Sequence, residues 1–150
     1  MFFLGLWFGL TCFLDFYAVP TIFRTLTSRQ DAGSLGMILF LTFNKIEILL
    51  SLILGVCAYF FRESIKWKKT FWTTLASLFV LSLIYTFHMS PTIIEANKKK
   101  YELAEESQEY IELEKTHQMY HGLFRKTDGA KILVLFVLLG STLRRREEKA

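Results

Sequence analysis

Three apolar stretches, Phe2–Val19, Met37–Phe61 and Thr70–Met89, constrain this chain more than any other feature, and a shorter fourth, Ala130–Leu143, follows them. A helix rises about 1.5 Å per residue and bilayer hydrocarbon is about 30 Å thick, so one crossing takes roughly 20 residues. The pattern predicts an all-α fold, a four-helix transmembrane bundle with a polar, amphipathic helical segment between helices 3 and 4. Expected spans are about 2–23, 37–61, 70–89 and 123–143, with residues 92–122 outside the bilayer. At 150 residues, 52% of them hydrophobic, the chain has room for one integral membrane domain over 1–150 and little else.

The net charge of +4 does not point to nucleic acid. The lysines and arginines flank apolar runs, where they anchor helices to lipid headgroups. Lys98-Lys99-Lys100 and Arg144-Arg145-Arg146 read as such anchors. Cys12 and Cys57 fall inside expected spans at a spacing that suits neither a zinc site nor a disulfide framework, so they read as small packing residues. The first stretch lacks a basic start and has Pro20 just after Tyr17-Ala18-Val19, so it reads as a retained helix rather than a leader.

Helix 1 runs toward Pro20 and can pass it, since a proline kinks a membrane helix without ending it. A loop is expected over Arg24–Gly36, with Ser28 or Asp31 as caps and Gly33 and Gly36 as breakers. Helix 3 is expected to stop near Pro91. Within Thr92–Gly129, Leu103, Tyr110, Leu113, Tyr120 and Phe124 recur near helical spacing, which predicts an amphipathic helix or helical hairpin; composition also permits disorder around Asn97–Lys100 and Ala104–Gln108. Helix 4 reaches full length if it begins near Leu123 and Lys131 snorkels. The basic loop Arg62–Lys69, with Trp67 at an interface, and the tail Arg144–Ala150 put both termini on the cytoplasmic side of a cell (inner) membrane.

Ionisable groups inside apolar stretches cost about 2.5–3.5 kcal/mol each on insertion scales, and here they are Asp15, Lys45 and Glu47, with Asn44 beside them. By helical rise, Asp15 lies about 20 Å from the start of helix 1 and Lys45 about 12 Å from the opposite face, so their depths nearly coincide and an Asp15–Lys45 pair is expected. Asn44, Glu47 and Ser51 share one face of helix 2, turned inward. Such a polar centre serves as a polar pathway or small-ligand pocket, or as a buried pair that sets helix register. Glu114, His117 and His121 also share a helix face, a donor set for a transition metal or, through one imidazole, a haem; His88 is the remaining histidine. Neither a Gly-rich phosphate loop, a Ser/His/Asp constellation nor a CxxC occurs, and Gly5–Gly9 permits close helix packing.

Gly5-Leu6-Trp7-Phe8-Gly9, Asp15 through Arg24 and Asp31-Ala32-Gly33, with Ser90-Pro91-Thr92-Ile93-Ile94 and His117-Gln118-Met119-Tyr120-His121-Gly122, form a string that resembles the transmembrane protein 205-like family of small four-helix membrane proteins. The resemblance implies four helices, with the Pro20 and His117 motifs meeting at one membrane face. A fainter likeness, on Trp7, Gly9 and Pro20-Thr21-Ile22-Phe23, is to copper-resistance D-type proteins and the four-helix membrane protoporphyrinogen oxidase, which place a histidine in the first helix where this chain has none. The expectation is a non-enzymatic integral membrane protein, transport-related, stress-related or an accessory subunit, in contact with lipid and not nucleic acid, alone, as a homo-oligomer or in a larger membrane complex. Its polar centre is Asp15, Asn44, Lys45 and Glu47, with Arg24, His117 and His121 at the outer mouth. The alternative is a haem- or metal-binding membrane oxidoreductase using His88, His117 or His121.

Overall fold

Four long helices make up the chain in the computed structural model, which describes residues 1–60, 68–103 and 107–147. Helix α1 is Phe2–Thr25. Helix α2 is Arg29–Phe60. Helix α3 joins Lys68–Ile84, Tyr85–Met89 and Ser90–Glu102 without a break. Helix α4 is Gln108–Glu147. Among the described residues there is no strand. Each helix packs on its neighbours in the cyclic order α1, α2, α3, α4, so consecutive helices run antiparallel and α1 and α3 stand diagonally opposite.

The expected loop Arg24–Gly36 shrinks to Leu26–Ser28, and helix 2 starts at Arg29 rather than Met37. Ser28 caps it: its Oγ accepts the Asp31 N–H at 3.2 Å, and its carbonyl accepts the Ala32 N–H at 3.0 Å. Gly36 is buried inside the helix, where a Cβ would lie 3.7 Å from the Phe23 ring. It acts as a small packing residue, not a breaker.

Helix 3 likewise passes Pro91 instead of stopping there, and a π turn explains how. Proline lacks an N–H and its ring pushes on the carbonyl four residues back, so the preceding turn widens to i→i−5 bonding. Val19 N–H bonds Leu14 O just before Pro20, and Ser90 N–H bonds Tyr85 O just before Pro91. The polar segment then forms the helical hairpin, with the extension of α3 packed against the start of α4. Asn97–Lys100 is helix; Ala104–Glu106 and most of the basic loop, Phe61–Trp67, lie outside the described residues.

The two helix pairs repeat one pattern. The π turns Leu14–Ala18 and Tyr85–Met89 are 71 residues apart, as are Pro20-Thr21-Ile22 and Pro91-Thr92-Ile93. The buried positions of α1, Leu4, Trp7, Thr11 and Leu14, match Leu75, Leu78, Ser82 and Tyr85 of α3 at the same offset. Between α2 and α4 the offset is 84, which pairs Phe40 with Phe124, Asn44 with Asp128 and Glu47 with Lys131.

Burial is inverted relative to a water-soluble bundle. Asn44, Glu47 and Thr11 are 0% exposed while Phe2, Phe60 and Phe87 are 74%, 76% and 73% exposed. Phe2–Thr25, Gln30–Phe60 and Lys68–Lys100 are long and apolar enough to cross a membrane. Helix α4 has the length, but its first half is polar. At the end holding the start of α1, an apolar core of Leu4, Trp7, Leu50, Leu54, Leu75, Leu78 and Leu135 closes the bundle. The other end is open.

Candidate functional site: a charge cluster at the floor of a cleft

A cleft of about 960 Å³ enters at the open end between all four helices. Its mouth carries Lys100, Glu114, His117, Gln118, His121 and Arg125; its walls are Phe16, Val19, Phe23, Met37, Phe40, Ile93 and Ile94; its floor is Asp15, Ser90 and Asp128. Small residues open the space: Gly33, Gly122 and Gly129 line it, and a Cβ at any of them would meet nothing within 4 Å.

Beneath the floor lies the charge cluster. Lys131, 2% exposed, reaches Glu47 Oε1 at 2.7 Å and pairs with Asp128 one turn earlier on its own helix. Its ammonium also sits over the rings of Phe43 and Tyr85, at 5.7 and 5.4 Å. The Trp7 indole N–H donates to the same Glu47 oxygen at 2.8 Å. Asn44 donates to Ser90 Oγ at 2.9 Å, and the Tyr85 hydroxyl bonds Thr127 at 2.6 Å. From α1, Asp15 lines the same floor as Asp128 and feels the charges of Asp128, Lys131 and Glu47. Asn44 Oδ1, Glu47 Oε2 and Thr86 Oγ1 remain buried without a hydrogen-bond partner. All four helices contribute.

Of the polar centre read from the sequence, Asn44 and Glu47 are wholly buried one turn apart, Asp15 lines the cleft floor above them, and Lys45 is left out. Lys45 is exposed, because it follows Asn44 by one residue, about 100° around the helix, and an inward Asn44 and Glu47 turn it outward. The cation of the cluster is Lys131. Lys131 does not snorkel, since its partners Glu47 and Asp128 are inside. Asp128 and Lys131 repeat the i, i+3 spacing of Asn44 and Glu47, and that periodicity was the available signal for them.

At the mouth, His117 and His121 line the cleft with ring centroids 5.8 Å apart. Arg24 is exposed on α1 and does not line it; Arg125 does. The Glu114, His117 and His121 metal set is not assembled. Glu114 is held by the Lys100 ammonium at 2.7 Å and the Gln118 amide at 2.7 Å, and no group of three His, Cys, Asp or Glu among the described residues is placed to hold a metal ion. Those two hydrogen bonds hold the Glu114 carboxyl below its usual value. His88 stands apart, edge-on to Tyr120 at 5.9 Å. Burial, then Lys100 and His121, lowers His117; desolvation by the cleft walls, then Arg125, lowers His121. Both imidazoles are therefore neutral at pH 7.

A helical bundle with apolar candidate spans and a buried polar centre defines a class of protein suited to a membrane. More narrowly, the chain belongs to the family described as domain of unknown function DUF4149, whose model matches residues 2–102. The match spans α1 to α3 and ends before α4, so Asp128, Lys131 and both mouth histidines lie beyond it. No curated protein and no solved structure matches the chain.

Proposed function

We propose that the chain is a four-helix integral membrane protein, non-enzymatic and transport-related, stress-related or an accessory subunit in such a process, with a polar centre reached from one membrane face through the cleft. The inverted burial carries this reading. Wholly buried Asn44 and Glu47 inside a surface of exposed phenylalanines is what a lipid solvent selects, because lipid rewards apolar contact outside and leaves polar groups only each other. The likeness to the transmembrane protein 205-like family agrees with it. In this reading α4 is the fourth span from about Leu123, its charges satisfied internally, and both termini are cytoplasmic.

Membrane fractionation and labelling test it. The protein is expected to stay in the pellet after alkaline carbonate extraction. In a variant with Cys12 and Cys57 replaced by alanine, a cysteine at Gln118, an exposed residue near the cleft mouth, should react with an impermeant maleimide from outside intact cells, and one at Lys69 should not. Carbonate release would remove the membrane assignment. The reverse labelling pattern would invert the orientation.

A further inference from the structure

The cleft ends on more negative charge than the chain itself neutralises. The groups facing its floor are Asp15 from α1, Glu47 from α2, Tyr85 from α3, and Asp128 and Lys131 from α4. Three carboxyls thus share one ammonium, which already contacts Glu47 and Asp128 and leaves Asp15 without a paired cation among the described residues. Two carboxylates at the end of one cleft repel each other unless a proton or a cation lies between them, and Asp15 and Asp128 both line that floor.

A second observation comes from higher on the wall. Asn97 is 5% exposed, lines the cleft and makes no hydrogen bond among the described residues. Its amide is open to the cleft that it lines, so it is placed to meet a polar atom there. Ser90 at the floor and Asn97 stand on the same helix seven residues apart, about 10 Å of rise. The wall between them is apolar, with Phe40 and Phe124 in edge contact at 5.2 Å.

We propose that the cleft binds an organic cation with an apolar body, its positive group between Asp15 and Asp128 and its far end against Asn97. This rests on the membrane reading above. Binding is an exchange with no covalent change beyond one O–H bond: the proton held between the two carboxyls leaves to water through the cleft as the cation takes its place. Phe40 and Phe124 on that wall supply aromatic surface against which the apolar body of the cation packs. Lys100 and Arg125 at the mouth stand at the water end, where salt screens them.

The test uses the full chain in detergent micelles with two probes of similar shape, the permanent cation tetraphenylphosphonium and the neutral triphenylphosphine oxide. The cation is expected to bind at least about tenfold tighter than the neutral probe, to release about one proton in weak buffer, and to tighten by about tenfold per pH unit where the carboxyl pair is protonated. Asp15→Asn should weaken cation binding by at least about tenfold, abolish the release, and leave the neutral probe unaffected. That variant leaves the Lys131 contacts to Glu47 and Asp128 in place, and unchanged helical circular dichroism with an unchanged unfolding midpoint verifies its fold. Equal binding of the two probes to the unmodified protein overturns the proposal without any variant, as does undiminished cation binding in a folded Asp15→Asn. Carbonate extraction reads the membrane assignment separately, so the two failures are distinguishable.

Discussion

Glu47 is the residue on which the interior turns. One of its oxygens receives both the Trp7 indole and the Lys131 ammonium, and the side chain is 0% exposed. Removing one partner of a buried pair strands a charge and typically costs about 3–5 kcal/mol, whereas replacing both with apolar groups is often neutral. Glu47→Leu and Lys131→Leu should each lower stability by that much, and the double variant should recover only part of it, because Asp128 still loses the Lys131 ammonium; chemical denaturation in micelles measures the cycle. Additive losses would mean that the contact is not coupled. Trp7→Phe removes the indole N–H and also leaves a cavity where the larger ring is wholly buried, so a loss of at least about 1.5–3 kcal/mol is expected, the hydrogen bond to a charged group supplying that much and the lost packing adding to it. The asymmetry between Lys45 and Lys131 belongs to this scale too. Lys45 is adjacent to the cluster in sequence but faces away from it, whereas Lys131 is 84 residues from Glu47 and bonded to it.

At the scale of elements, both prolines act as shaping devices inside continuous helices rather than as ends. Alanine is about 3 kcal/mol more favourable than proline in a helix interior. Because the π turn before Pro91 aims Tyr85 at Phe124, with ring centroids 4.4 Å apart, Pro91→Ala should not realise that gain. Thermal unfolding is expected to show no stabilisation, and a gain of about 3 kcal/mol would make the π turn incidental. The hairpin of α3 and α4 is joined by the Lys100–Glu114 pair and covers His117. Both mouth histidines are lowered from 6.5 when folded, so the unfolded chain takes up protons first. Hairpin stability is therefore level above about pH 6.5 and declines as pH falls below it. Amide exchange over 108–121 should quicken on acidification, and less so in His117→Leu/His121→Leu. The stripe Tyr110, Leu113, Tyr120 and Phe124 foretold helix in this hairpin, whereas the continuation through Pro91 was hidden by a residue that usually ends helices.

For the whole molecule, two helix pairs with matching π turns and matching buried positions surround one polar belt, sealed below by aliphatic packing and open above to the cleft. Where the pattern repeats, chemistry differs at equivalent places: Asn44 stands where its counterpart is Asp128, and Glu47 meets its counterpart Lys131, so the diagonal between α2 and α4 becomes an ion pair instead of a repulsion. Sequence alone determined the helical class, the three long apolar stretches and the inward face of Asn44 and Glu47, because each follows from periodicity within one segment, and it left the polar segment open between one amphipathic helix, a hairpin and disorder. Tertiary structure decided which lysine neutralises the cluster, that Asp15 and Asp128 share one cleft floor, that Glu114 serves Lys100 instead of a metal, and that a cleft forms at all. Those outcomes depend on the rotation and depth of one helix against another, and helices distant in sequence carry no local signal of how far each is turned.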